Sequence, residues 1–144
     1  MKKVIVTIAV LTTALGAHAA CEMSYEGDIP KINRALEKIG GFDFPGYEVF
    51  CSKLKNANAR LSIASENGVL GGKSIAWSVV QVRDFKLPIL SKVVSQSTQM
   101  NDFGDNGKSL ELLGTAINTS LNHLDIDKAI ESLNETRKSI TMQP

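Results

Sequence analysis

The sequence predicts an α+β fold: a small antiparallel β-meander of two to three strands packed against about four helices, following a cleaved signal peptide. Three observations carry this prediction. Apolar residues alternate on both sides of a Gly-Gly pair at residues 71–72, four other segments repeat apolar residues at three- and four-residue steps, and the chain opens on a short apolar leader.

The leader reads MKKVIVTIAVLTTALGAHAAC. Lys2 and Lys3 form a positive start, Val4 to Leu15 is apolar apart from threonines, and Ala17-His18-Ala19 places small residues at the two positions a signal peptidase reads. The apolar run is too short for a spanning helix, which takes about 20 residues. Residues 1–19 are therefore read as a secretory signal, residues 20–144 as a single α+β domain, and the mature protein as periplasmic or secreted, with no transmembrane segment after cleavage. A rival route would acylate Cys21, but His18 stands three residues before it, where an apolar residue such as leucine is expected.

Removing Lys2 and Lys3 from sixteen basic residues, against fifteen acidic ones, leaves the mature chain at net −1. No basic stripe interrupts this balance, which argues against a nucleic-acid surface or a polybasic membrane patch. Cys21 and Cys51 are the two cysteines. In an oxidising compartment they are expected to pair as a disulfide tying the N-terminus to the second helix.

Residues 28–39 form the first predicted helix, with Asp28 as cap, Pro30 in the first turn and Gly40-Gly41 as the stop. Ile29, Ile32, Leu36 and Ile39 share one face. A turn, GFDFPGY, leads into a second helix in which Tyr47, Phe50, Cys51 and Leu54 share a side. The hairpin comes next. A two-residue Gly71-Gly72 loop sets Leu70 opposite Lys73, Ile63 opposite Val80 and Leu61 opposite Val82. One face then holds Leu61, Ile63, Val80 and Val82, and the other Leu70, Ile75, Trp77 and Val79. Two apolar faces predict a strand covered, at least partly, on both sides. Residues 89–101 are read as a third strand, with a helix as the alternative. Two helices close the chain, the first carrying Leu110, Leu113, Ile117, Leu121 and Leu124, the second starting at an Asp125 cap and carrying Ile126, Ile130, Leu133 and Ile140.

Chemistry is sparse. Gly72-Lys73-Ser74 and Gly107-Lys108-Ser109 end like phosphate-binding loops, but the glycine needed five residues earlier is Asn67 in one and Asp102 in the other. Both are turns. The loop at residues 101–107 resembles a calcium loop only superficially, because its closing position falls on Leu113 instead of a glutamate. After the leader His123 is the one histidine, so no zinc or copper set and no Ser-His-Asp triad can be assembled, and no cofactor motif is present. Asn118 and Asn134 head glycosylation-type triplets on predicted helices and are discounted.

The expectation is a non-enzymatic binding protein acting on an envelope or secreted protein partner, in the manner of an inhibitor or an immunity-type protein for an enzyme or toxin. Phe42, Phe44 and Tyr47 of the aromatic turn are the candidate interface. The alternative is a carrier for a small apolar or amphiphilic ligand held between sheet and helices, with Trp77 as the candidate lining residue. A hydrolase using carboxylates alone, with the acids of the 102–105 loop as its site, ranks last.

Overall fold

The computed structural model describes residues 20–141. Residues 1–19, read from the sequence as a secretory signal, lie outside the described residues. The chain forms β1 (Tyr25–Gly27), α1 (Ile29–Ile39), α2 (Tyr47–Asn56), β2 (Ala59–Leu70), β3 (Lys73–Asp84), β4 (Leu90–Asn101), α3 (Asn106–His123) and α4 (Ile126–Thr141). The strands make one open mixed sheet in the order β1-β2-β3-β4. The meander β2-β3-β4 is antiparallel, and β1 adds a parallel strand that sequence reading did not foresee. Three residues without alternation leave no periodic signal. Their pairing with Leu61–Ile63 arises only after α1 and α2 carry the chain across the sheet.

Local chemistry sets most boundaries. The Asp28 carboxylate accepts from the Lys31 N–H at 3.2 Å, and Gly40 ends α1 at φ 88°, in the left-handed region that suits glycine. Asp105 caps α3 by accepting from Lys108 N–H at 2.7 Å, and Asp125 caps α4 by accepting from Lys128 N–H at 3.1 Å. In the hairpin Gly71 and Gly72 both take positive φ, 58° and 75°, as a two-residue turn with matching twist requires. The register follows, with Leu70↔Lys73, Ile63↔Val80 and Leu61↔Val82 paired as expected. Residues 89–101 contain a strand and not a helix; its pairing is irregular near the start, where the five residues Leu90 to Val94 of β4 stand against the three residues Gln81 to Arg83 of β3.

All four helices pack on one face of the sheet. Leu61, Ile63, Ala76, Val80 and Val82 point into a core completed by Ile32 and Leu36 of α1, Phe50 and Leu54 of α2, Leu113, Ile117 and Leu121 of α3 and Leu133 of α4. Close approach is needed where α1 crosses α3. A Cβ on Gly114 would stand 2.6 Å from the Ala35 carbonyl oxygen, so only glycine fits there. Small hydroxyls do similar work between α3 and the sheet, where Ser78 and Ser120 are both buried and their Oγ atoms lie 2.7 Å apart.

The expectation that β3 is covered on both faces is corrected by this arrangement. Leu70, Ile75, Trp77 and Val79 do form the second face, but no described element lies over it. Ile140 is likewise exposed, past the part of α4 that reaches the core.

Candidate functional site

Cys21 and Cys51 are joined, with their Cα atoms 6.0 Å apart. The fold brings them together because Cys51 is on the buried side of α2, and β1 draws the N-terminal segment alongside β2. Tyr47 Oη donates to the Cys21 carbonyl at 2.6 Å and so fixes the approach. With its sulfur in this bridge, Cys21 is not available as an acylation site. Among the described residues no helix is long and apolar enough to cross a membrane, and no cluster of three or more His, Cys, Asp or Glu side chains is arranged to hold a metal ion.

Within the candidate interface at residues 41–47, Phe44 is turned inward while Phe42 and Tyr47 are half-buried. Phe44 is buried against Phe50, with ring centroids 5.3 Å apart, and against Tyr47 at 5.7 Å; Phe42 lies between Tyr47 and Tyr25. Asn118 of α3 holds the turn from beneath, accepting from Asp43 N–H at 3.2 Å and donating to the Gly41 carbonyl at 3.3 Å. Phe42, Phe44 and Tyr47 thus fasten the α1–α2 connection to the core, and Phe44 presents nothing to a partner. Three of these ring pairs meet edge-to-face and Phe42–Tyr47 stacks, both favourable arrangements for aromatic rings. The acids of the 102–105 loop are engaged too. Asp102 pairs with Lys73 at 2.7 Å and Asp105 caps α3, while Ser74 Oγ donates to the Phe103 carbonyl and accepts from Asp105 N–H, pinning the loop to β3.

Trp77 is the residue whose setting differs most from expectation. It is on the face away from the helices, so no cavity between sheet and helices can include it. Its register partners are Glu66 on β2 and Thr98 on β4, and it is 41 % exposed. On the same face stand Leu70 (72 % exposed), Met100 (58 %) and Val94 (50 %), with the half-buried Ile75 and Val79 between them. Gly68, opposite Ile75, contributes no side chain, and nothing lies within 4 Å of where its Cβ would be. The gap forms a shallow groove of about 220 Å³ walled by Glu66, Leu70, Ile75 and Trp77.

Charges frame this apolar centre. At one side the Glu66 carboxylate accepts from Lys31 of α1 at 2.9 Å, and that hydrogen bond holds the carboxyl below its ordinary range. At the far end Arg60 and Arg83 are direct register partners, and Glu26 of β1 lies between them and bonds both guanidinium groups. Phe85 stacks beyond, its ring centroid 5.5 Å from Arg60 Cζ. Two cations share one carboxylate, which leaves this end of the face net positive.

Sequence reasoning placed Leu70 on the Trp77 face but missed Val94 and Met100 as members of the same surface. The signal was present: in the β4 register Val94 and Met100 fall on the Trp77 side. It had no force while both faces were expected to be covered. The arrangement offers aromatic, thioether and aliphatic contact area with a charged rim, and no pairing of nucleophile with base. No protein-family model matches this chain, and neither a curated protein nor a solved structure shows significant similarity to it.

Proposed function

We propose that the protein is an exported, non-enzymatic binding module, of inhibitor or immunity type, that holds an envelope or secreted protein partner against the uncovered face of its sheet. One observation carries this reading: Leu70, Trp77, Val94 and Met100 stand exposed on a face with no described element above it, although the opposite face already supplies a complete core. Contiguous exposed apolar surface with a polar rim is the ordinary signature of an interaction site, and Trp and Met are among the residues enriched there. The disulfide and the absence of a membrane-spanning helix among the described residues are compatible with export. The groove beside Gly68 is smaller than the roughly 300–1,000 Å³ of small-molecule sites. It suits one side chain of a protein partner better than a carried ligand.

The test is affinity capture from envelope extract with the wild-type protein, Trp77→Ser and Phe42→Ser. A stoichiometric partner retained by wild type and Phe42→Ser but lost by Trp77→Ser is the expected outcome. A partner held equally by Trp77→Ser would exclude the open face as the contact surface.

A further inference from the structure

The two edges of the sheet are finished differently. β1 is only three residues long and pairs with Leu61–Ile63 alone, and beyond it the Lys31–Glu66 ion pair places charge at the edge of β2. β4 is twelve residues long and contains no proline. The N–H of Lys92 is taken by Ser132 Oγ at 2.9 Å, but after it no described segment is hydrogen-bonded along the outer side of the strand.

Which groups point outward follows from the hairpin. A two-residue loop makes Leu70 and Lys73 a hydrogen-bonded pair, so odd residues of β3 bond to β2 and even ones to β4. Through the pairs Ser74↔Asn101, Ala76↔Gln99, Ser78↔Ser97 and Val80↔Ser95, the odd residues of β4 are satisfied by β3. Val94, Gln96, Thr98 and Met100 therefore direct their N–H and C=O groups away from the sheet. An unblunted edge of this length is a template for another strand.

The edge itself specifies the occupant. Around Ser97 the segment Lys92–Asp102, KVVSQSTQMND, is complementary to its own reverse. Antiparallel pairing of two copies about Ser97 sets Val94 opposite Met100, Gln96 opposite Thr98 and Lys92 opposite Asp102. All the outward groups meet in this register, giving about eight ladder hydrogen bonds. Opposed residues share a face, so the apolar pairs join the two uncovered faces while unlike charges meet at both ends. Asp102 is well exposed, and its present partner Lys73 would remain beside it. A slip of two residues either way sets Lys92 against Met100, or Val94 against Asp102, and loses both charge pairs.

We infer that the protein forms a two-fold dimer in which β4 strands pair about Ser97, fusing two four-stranded sheets into one sheet of eight. This goes beyond the partner-binding reading and does not depend on it. The dimer presents two Trp77 surfaces on one continuous face.

The experiment is sedimentation equilibrium of the purified, disulfide-oxidised protein over about 1–100 μM, where mass action reveals association. Wild type is expected to reach twice the monomer mass. Lys92→Asp and Asp102→Lys each set like charges together at both ends and should weaken the dimer by about tenfold or more. Mixed in equal amounts, the two variants should dimerise again, because unlike charges then meet between the chains. Both positions are exposed, and circular dichroism checks that each variant folds. Amide exchange at Val94, Gln96, Thr98 and Met100 should slow as wild-type concentration rises. A monomer throughout the range, a dimer indifferent to both reversals, or a mixture that stays monomeric would overturn the inference. Trp77→Ser is expected to leave the dimer intact, so this proposal and the partner reading fail separately.

Discussion

Arg137 of α4 grips Asp84 at the end of β3: Nε donates to Oδ2 at 2.7 Å and Nη2 lies 2.5 Å from the same oxygen. The other carboxylate oxygen accepts from the N–H groups of Lys86 and Leu87, both at 2.7 Å, so one acid ties the last helix, the strand end and the β3–β4 turn together. Burial opposes the charge on Asp84. The two backbone donors and the guanidinium outweigh it and hold the carboxyl below its ordinary value.

The acid response of stability follows from that direction. A carboxyl whose folded value is depressed contributes stability that is fully present above its unfolded value, about 3.9, and is lost as pH falls through the lower folded value. Arg137→Met should cost about 1.5–3 kcal/mol at neutral pH, the range for hydrogen bonds to a charged group. It should also flatten the loss of stability below about pH 4. Urea midpoints from pH 7 to pH 3 measure both effects, and parallel curves for the two proteins would refute the linkage.

Trp77 and Ser78 are neighbours in sequence on opposite faces of β3, and exchanging their roles should separate stability from binding. Ser78→Val forces added methyl groups into the buried contact with Ser120 and should destabilise by about 1–3 kcal/mol. Trp77→Ser on the uncovered face should change stability by about 1 kcal/mol or less. Chemical denaturation of the two variants side by side decides this, and an equal loss from both would place Trp77 in a packed environment.

The Cys21–Cys51 bridge spans a sequence separation of 30. A loop of that size corresponds to about 3–4 kcal/mol in the chain-entropy model. Replacing both cysteines by alanine should lower the denaturation midpoint accordingly. It should also release β1 first, seen as faster amide exchange at Tyr25–Gly27 than at the centre of β3. Unchanged exchange in β1 would show that its pairing with β2 stands without the bridge.

Gly114→Ala tests the helix crossing. The new methyl would lie 2.6 Å from the Ala35 carbonyl oxygen and 2.9 Å from the Ile39 side chain, so α1 must move. A loss of about 1–3 kcal/mol is expected, as for other overpacked sites. A melting temperature equal to wild type would mean that α1 yields at no cost.

The sequence by itself determined the local geometry. Gly71-Gly72 decided the hairpin register, because a two-residue loop admits one pairing, and period-two alternation then sorted the residues of β3 between two faces. Side-chain oxygens at Asp28 and Asp125 marked helix starts, and Cys21 and Cys51 had each other as the only partners within the predicted domain. Tertiary structure alone decided which face of the sheet became core. Alternation separates Leu61, Ile63, Val80 and Val82 from Leu70, Ile75, Trp77 and Val79, but both sets are apolar, so the pattern carries no label for inside. The label comes from the helices, whose apolar stripes and short connections put all four on the Val80 side. The same packing drew Phe44 into the core and left Trp77 and the outer edge of β4 uncovered. Burial is a property of what lies opposite, and what lies opposite is set by contacts between segments far apart in the chain.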